Sequence, residues 1–195
     1  MIKWLRSDNI TVPVLTNLNS AVRKNIPIAD SLSLYPGPWN IHKSETAIAD
    51  LLLEQPGKLA ACVEFQMGFA AETGSTLPSM VGAIPENWVE LHVKNSIARG
   101  LNFINFYMFC GGTSWGYHPG RNDITSYDYD SAIREWGELS GKYYMARRTG
   151  SFLRTFGDYL VDSLPGGDIP VETGRGVSVL RRMGKDYAFV FPRNL

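Results

Sequence analysis

The chain has 195 residues, with 19 lysines and arginines balanced by 19 aspartates and glutamates, and 44% of its residues are hydrophobic. This is enough chain for one domain with a sizeable core, and the even charge balance argues against a nucleic-acid partner or a solvating acidic tail. No apolar run is long enough to span a bilayer, and charged residues interrupt MIKWLRSDNITVPV too early for a signal peptide, which favours a cytoplasmic location if Met1 is the true start.

Taken in chain order, Ile10–Leu15 (ITVPVL) reads as a short buried strand, and Ile28–Tyr35 as a second strand ending in a Pro-Gly-Pro turn. Ser44 is a candidate cap for a helix with Ile48, Leu51 and Leu52 on its apolar face, stopped by Pro56 and Gly57. Lys58–Phe65 is a third strand. Pro85 opens a helix with Val89, Val93 and Ile97 on one face, and Gly100 ends it. Leu101–Phe109 is a fourth strand, and Glu138–Leu160 a glycine-weakened helix. Strands separated by crossovers imply a parallel sheet in an α/β fold. The polar, glycine-rich and aromatic stretches TNLN, YPGPW, EFQMGF and FCGGTSWGYHPG all follow strands, which places function on one rim of the sheet. Four strands cannot close a barrel, so this pattern alone leans towards an open doubly wound sheet. After Pro165-Gly166-Gly167, GVSVLRRM and DYAFVFPRNL read as a hairpin about Gly184 and Lys185, the start of an all-β unit.

Glu64 stands out because a carboxylate at the end of a buried apolar run costs free energy unless something uses it. It reads as a catalytic carboxylate at a strand end, or as a strand-end glutamate in a salt bridge. Tyr107, followed by the Gly111-Gly112-Thr113 turn, is the second candidate; no phosphate-loop spacing is present. In DITSYDYDSAIREWGEL, Asp123, Asp128 and Asp130 lack the EF-hand spacing, so a rim loop presenting tyrosines and carboxylates to a sugar is preferred to a metal site. Cys62 and Cys110 read as buried free thiols, and His42 and His92 as surface residues on helices; His118 alone among the histidines falls in a rim loop. No metal or other cofactor is implied. Five Trp, nine Tyr and nine Phe suit an aromatic cleft that stacks on sugar rings, although aromatics also fill cores.

Three stretches resemble glycoside hydrolase family 35, the retaining β-galactosidases, and more closely its archaeal members. VEFQMGF is similar to the family's nucleophile segment, NFYMFCGGTSWG to its YMF-x-GGTNF stretch, and TSYDYDSAIREWGELSGKYYMAR to its long TSYDYDAP motif. The resemblance runs from about Val12 to Leu195 and implies a (β/α)₈ TIM barrel followed by β-rich domains. On it, residues 1–160 are the second half of the barrel, strands five to eight. Residues 161–195 are a linker and the first strands of a β-rich domain. It assigns Glu64 as the nucleophile that forms a glycosyl–enzyme, Tyr107 as a residue orienting it or the sugar, Tyr129 as a galactosyl contact, and Phe69 as an aromatic beside the site. Gln66 stands where animal members have Tyr, Ser114-Trp115 replace Asn-Phe, and TNLN replaces Thr-Thr-Asp-Gly. These departures leave open which hydroxyls are read: a terminal β-galactoside is the default substrate and glucosamine the alternative.

The resemblance also implies a gap. A retaining glycosidase uses two carboxyl groups about 5–5.5 Å apart. The family's acid/base segment, QVENE-like at the end of strand four, does not occur here, and Glu72, Asp128 and Glu135 match no family acid. The expectation is a chain with little hydrolase activity by itself, whose partner is the N-terminal half of the barrel or a second copy of itself. A non-catalytic sugar-binding or interaction fragment is the rival reading.

Overall fold

The computed structural model describes residues 2–17, 23, 27–38, 40–120, 122–169 and 176–194. Its elements are α1 (Ile2–Ser7), β1 (Leu15–Thr16), β2 (Ala29–Leu34), α2 (Ile41–Glu54), β3 (Ala61–Gln66), α3 (Leu77–Met80), α4 (Glu86–Ala98), β4 (Phe103–Tyr107), β5 (Gly112–Thr113), β6 (Ser126–Tyr127), α5 (Gly141–Val161), β7 (Leu164–Ile169), β8 (Val177–Met183) and β9 (Ala188–Asn194). The fold is α/β.

β1 to β4 form a parallel sheet in the order β1-β2-β3-β4. Each strand lies beside its predecessor, so the described sheet has no point at which strand order reverses, the feature that defines a doubly wound sheet. One hydrophobic core joins Leu32, Leu34, Cys62 and Phe65 of the strands to Ile48 and Leu51 of α2, Val89, Val93 and Ile97 of α4, and Met145 of α5. Phe65, Ile48 and Val89 have no exposed surface. Each such side chain stabilises the fold by about 1.5–3 kcal/mol through its removal from water.

The helices follow their apolar spacing, but their ends needed the structure. The α2 cap is Asn40, whose side chain accepts from the Lys43 backbone N–H. Ser44, expected as the cap, is instead buried within the helix, because it is the hydrogen-bond partner of His92. At the other end Gln55 accepts from the Asp30 N–H at 2.7 Å and donates to the Asp30 carbonyl at 3.1 Å, strapping α2 to β2. α4 begins after Pro85 and closes at Gly100, whose φ of +114° belongs to the left-handed side that glycine reaches most readily.

Two strand expectations need correction. Pairing in the first strand is confined to Leu15–Thr16, and Ile10 and Val12 are exposed; Pro13 has no N–H to offer a ladder. LPGGDI, placed in the linker ahead of the hairpin, is β7. It lies at the edge of a three-stranded antiparallel sheet, β7-β8-β9, where a proline is tolerated, and its register slips between Pro165 and Asp168. The β8–β9 hairpin forms as expected around Gly184–Tyr187. Its Arg182 is buried and donates to the carbonyls of Ile97, Leu160 and Ser163, so β8 is tied to the C-terminal ends of α4 and α5.

Among the described residues, no helix is long and apolar enough to cross a membrane. Cys62 is buried, and burial pushes its thiol up to about 12; Cys110 is exposed, contrary to expectation. His42 is a surface residue. His92 is not: it is 1% exposed, stacks on Phe65 at 4.1 Å and bonds Ser44.

Candidate active site at the carboxyl ends of the parallel strands

β3 does not alternate cleanly. Its burial runs buried, buried, half, half, buried, buried, and its register slips against both neighbours around Val63 and Glu64. This β-bulge turns Glu64 away from the core that holds Phe65 and lets a half-buried carboxylate stand at the rim. The carbonyl of Val63, freed by the bulge, accepts from Asn105 Nδ2 at 2.9 Å, so the irregularity is held from β4.

Among the described residues no lysine or arginine pairs with Glu64; the strand-end salt bridge weighed above is not formed. Its partner is a neutral donor, the Tyr35 hydroxyl, 2.9 Å from Oε2. Tyr35 directly follows β2, the strand beside β3. Burial first, then the adjoining Tyr129 phenol and the Glu64 carboxylate, push the Tyr35 phenol far above its usual range. It therefore remains an O–H donor at every ordinary pH, and Glu64 keeps a fixed hydrogen bond to one oxygen.

Tyr107 ends β4, and its ring meets Tyr35 edge-on at 6.3 Å and Tyr129 edge-on at 5.5 Å. Its hydroxyl lies 3.2 Å from that of Tyr127, whose ring is 5.4 Å from Tyr129. Tyr129 is 4% exposed, and burial pushes its phenol up to about 12, opposed by its hydrogen bond with Tyr35. Phe69 lies 6.1 Å from the Tyr129 ring and is 41% exposed. Glu64, Tyr35, Tyr107, Tyr127 and Tyr129 thus form one cluster, with Phe69 at its margin.

The carboxylates of the SYDYD loop do not face a ligand. Asp128 is fully buried and pairs with Arg134 at 2.7 Å; Asp130 is buried with Arg134 and with Lys142 Nζ at 2.8 Å. Asp128 also accepts from the Glu135 N–H, and Asp130 from the Gly82 N–H. This network holds Tyr129 and Asp130, both at positive φ, in a conformation that non-glycine residues seldom adopt. The expected rim loop presents tyrosines, while Asp128 and Asp130 act as an internal frame; Asp123 stays half-buried, and its charge acts on Tyr127 and Tyr129. Glu135 is occupied by Thr113 and Ser126 across the β5–β6 pair. No group of three or more metal-ligating side chains occurs among the described residues.

Gln66 is buried and braces the site instead of facing a sugar: Oε1 accepts from the Gly37 N–H at 3.1 Å and Nε2 donates to the Gly68 carbonyl at 3.2 Å. In TNLN, Asn17 donates to Ser33 Oγ at 2.8 Å, while Leu18 and Asn19 lie outside the described residues, as does Trp39 of YPGPW. Trp115 and Tyr117 on the loop after β5 are exposed, as is His118.

The model for "Glycosyl hydrolases family 35" matches residues 9–153, which include every residue of this cluster. The chain belongs to glycosyl hydrolase family 35. Its similarity to curated proteins is moderate. It is 34% identical to "Probable beta-galactosidase C" of Aspergillus flavus over 113 residues, which is 57% of this chain and 11% of the relative. It is 35% identical to "Beta-galactosidase A" of a Penicillium species over 112 residues, or 55% and 11% respectively. With "Probable beta-galactosidase A" of Emericella nidulans the match is 33% over 131 residues, or 65% and 13%. The matched region is therefore about a tenth of the length of these relatives.

Two members of the cluster, Tyr35 and Tyr127, are not picked out by the sequence reading. Tyr35 carries a signal in retrospect, since it ends the strand preceding the Glu64 strand in a parallel α/β pattern. Tyr127 is the first tyrosine of SYDYD, two residues from Tyr129, and only the tertiary contacts show that both meet Tyr107.

Proposed function

We propose that this chain supplies the nucleophile side of a retaining β-galactosidase-type glycoside hydrolase site. The observation that carries this is the half-buried Glu64 carboxylate, bulged out of β3 and held by a permanently protonated tyrosine inside a tyrosine-lined cluster. Glu64 attacks the anomeric carbon of a terminal β-galactoside, the bond to the leaving oxygen breaks, and a covalent glycosyl–enzyme forms that water then hydrolyses. Tyr35 selects which carboxylate oxygen is free to attack. Tyr107 and Tyr129 contact the sugar, and Phe69 offers its C–H faces a ring.

The four parallel strands are read as strands five to eight of a (β/α)₈ barrel. The sequential order and single shared core support this, as does the family match. Residues 1–160 belong to that half barrel and 161–195 to the entry of a β-rich domain. The proton donor is proposed to lie outside these 195 residues, because the carboxylates of the SYDYD loop and Glu135 are engaged in structural bonds. The partner is then the other half of the barrel, with pairing of two copies as the competing arrangement; a β4 edge without a further strand in the described sheet suits either. The likeness to archaeal members keeps a glucosamine-specific site as the alternative sugar reading.

A dinitrophenyl 2-deoxy-2-fluoro-β-galactoside tests the assignment without needing an acid, because its leaving group departs as the phenolate. The expected result is a single fluorogalactosyl adduct on the peptide containing Glu64, absent in Glu64→Gln. An adduct elsewhere, or none, overturns the role of Glu64. Steady hydrolysis of an unactivated galactoside by the purified chain overturns the external proton donor.

A further inference from the structure

We infer that Gln66 is a positioning residue for the Tyr35–Glu64 pair, a brace that fixes three rim segments to one another. Its functional half rests on the proposed role of Glu64. Gln66 is 4% exposed and uses both ends of its amide. Oε1 takes the Gly37 N–H, two residues beyond Tyr35, and Nε2 gives to the Gly68 carbonyl, two residues further along its own chain. Gly68 in turn has no room for a side chain: a Cβ there would lie 2.9 Å from the Tyr129 carbonyl carbon and closer still to its oxygen. One amide therefore joins the segment after β2, which carries Tyr35, to the turn after β3, which abuts Tyr129.

The arrangement explains why the position needs a side chain with both a donor and an acceptor. The Gly37 N–H follows a strand end and precedes Pro38, so it has no ladder partner beyond Leu34, the last β2 residue. A partly buried N–H left without an acceptor is costly, and the chain would swing to find one. Tyr35 is two residues of main chain away from that point, and a displacement of an ångström there is enough to break a 2.9 Å hydrogen bond to Glu64. The Gln66 amide faces the backbone. Reading of sugar hydroxyls then falls to the tyrosines.

Gln66→Met keeps length and burial but removes both bonds. Rates of Glu64 labelling by the fluorogalactoside are measured for wild type, Gln66→Met, Tyr35→Phe and the double variant, with thermal unfolding as the check on folding. Each single change is expected to slow labelling about tenfold, and the double variant to be no slower than the singles. Additive losses, or no loss in Gln66→Met, overturn the inference. A second measurement does not depend on chemistry. In ¹³Cζ-tyrosine NMR, with the Tyr35 signal assigned by its loss in Tyr35→Phe, Gln66→Met is expected to shift that signal as the hydroxyl leaves the Glu64 carboxylate. An unmoved Tyr35 signal overturns the brace even if labelling fails altogether, whereas wild type that does not label, with a Tyr35 signal that does move, overturns the role of Glu64 and leaves the brace standing.

Discussion

His92 makes the fold acid-sensitive by an amount that follows from its burial. Its ring lies flat between Phe65 at 4.1 Å and Trp88 at 6.0 Å, and its Nε2 bonds Ser44, so it holds the back of the strand whose front carries Glu64. Burial pushes its pKa down from 6.5 to about 3. Between those values the unfolded chain binds a proton that the folded protein refuses. Stability is therefore fully present above about pH 6.5 and is lost progressively as pH falls towards 3. From pH 7 to pH 5 the loss from this one group is about 2 kcal/mol. The assay is urea unfolding followed by tryptophan fluorescence at both pH values, for wild type and for His92→Gln, which can still hydrogen-bond Ser44 but cannot titrate. Carboxylates contribute to both proteins alike, so the difference between the two declines isolates His92. Wild type is expected to lose about 2 kcal/mol more than the variant. Equal declines would refute the reasoning, and with it the claim that a neutral imidazole is part of the core.

The buried frame behind Tyr129 gives a larger effect. Asp130→Ala strands the Lys142 ammonium and part of the Arg134 charge and should cost about 3–5 kcal/mol in urea unfolding; a cost below about 1 kcal/mol would show the pair to be solvated. Two glycines give a matched comparison. Gly68→Ala drives a methyl into the Tyr129 backbone and should destabilise by at least about 1–3 kcal/mol. Gly141→Ala meets the Glu86 carboxylate, the end of a half-exposed side chain paired with Arg148, and should stay within about 0.5 kcal/mol of wild type by thermal unfolding.

The strands and helices were legible where burial makes a pattern. Val89, Val93 and Ile97 fall at helical spacing and are all buried; Leu32, Leu34 and Phe65 sit in the strands where expected. Residue type was less informative where polar groups pair at a distance. Ser44 has the chemistry of a cap, yet it faces His92 from another helix, 48 residues away. Asp128 and Asp130 have the chemistry of a sugar-binding rim, yet they are buried against Arg134 and Lys142. Pro165 and the glycines after it have the chemistry of a break, yet an edge strand tolerates them.

By itself the sequence determined the order of the four parallel strands and the three long helices, the parallel α/β class and the place of Glu64 near the carboxyl end of its strand, because hydrophobic periodicity and glycine and proline placement act locally. It also contained the motifs by which the family is known. Tertiary structure alone decided what each polar side chain is for. The bulge that turns Glu64 outward, the Tyr35 hydroxyl on its carboxylate, the brace at Gln66 and the framing of Tyr129 all join residues distant in the chain. A buried polar group must find a partner wherever the fold brings one, and no spacing along the chain records which partner that is.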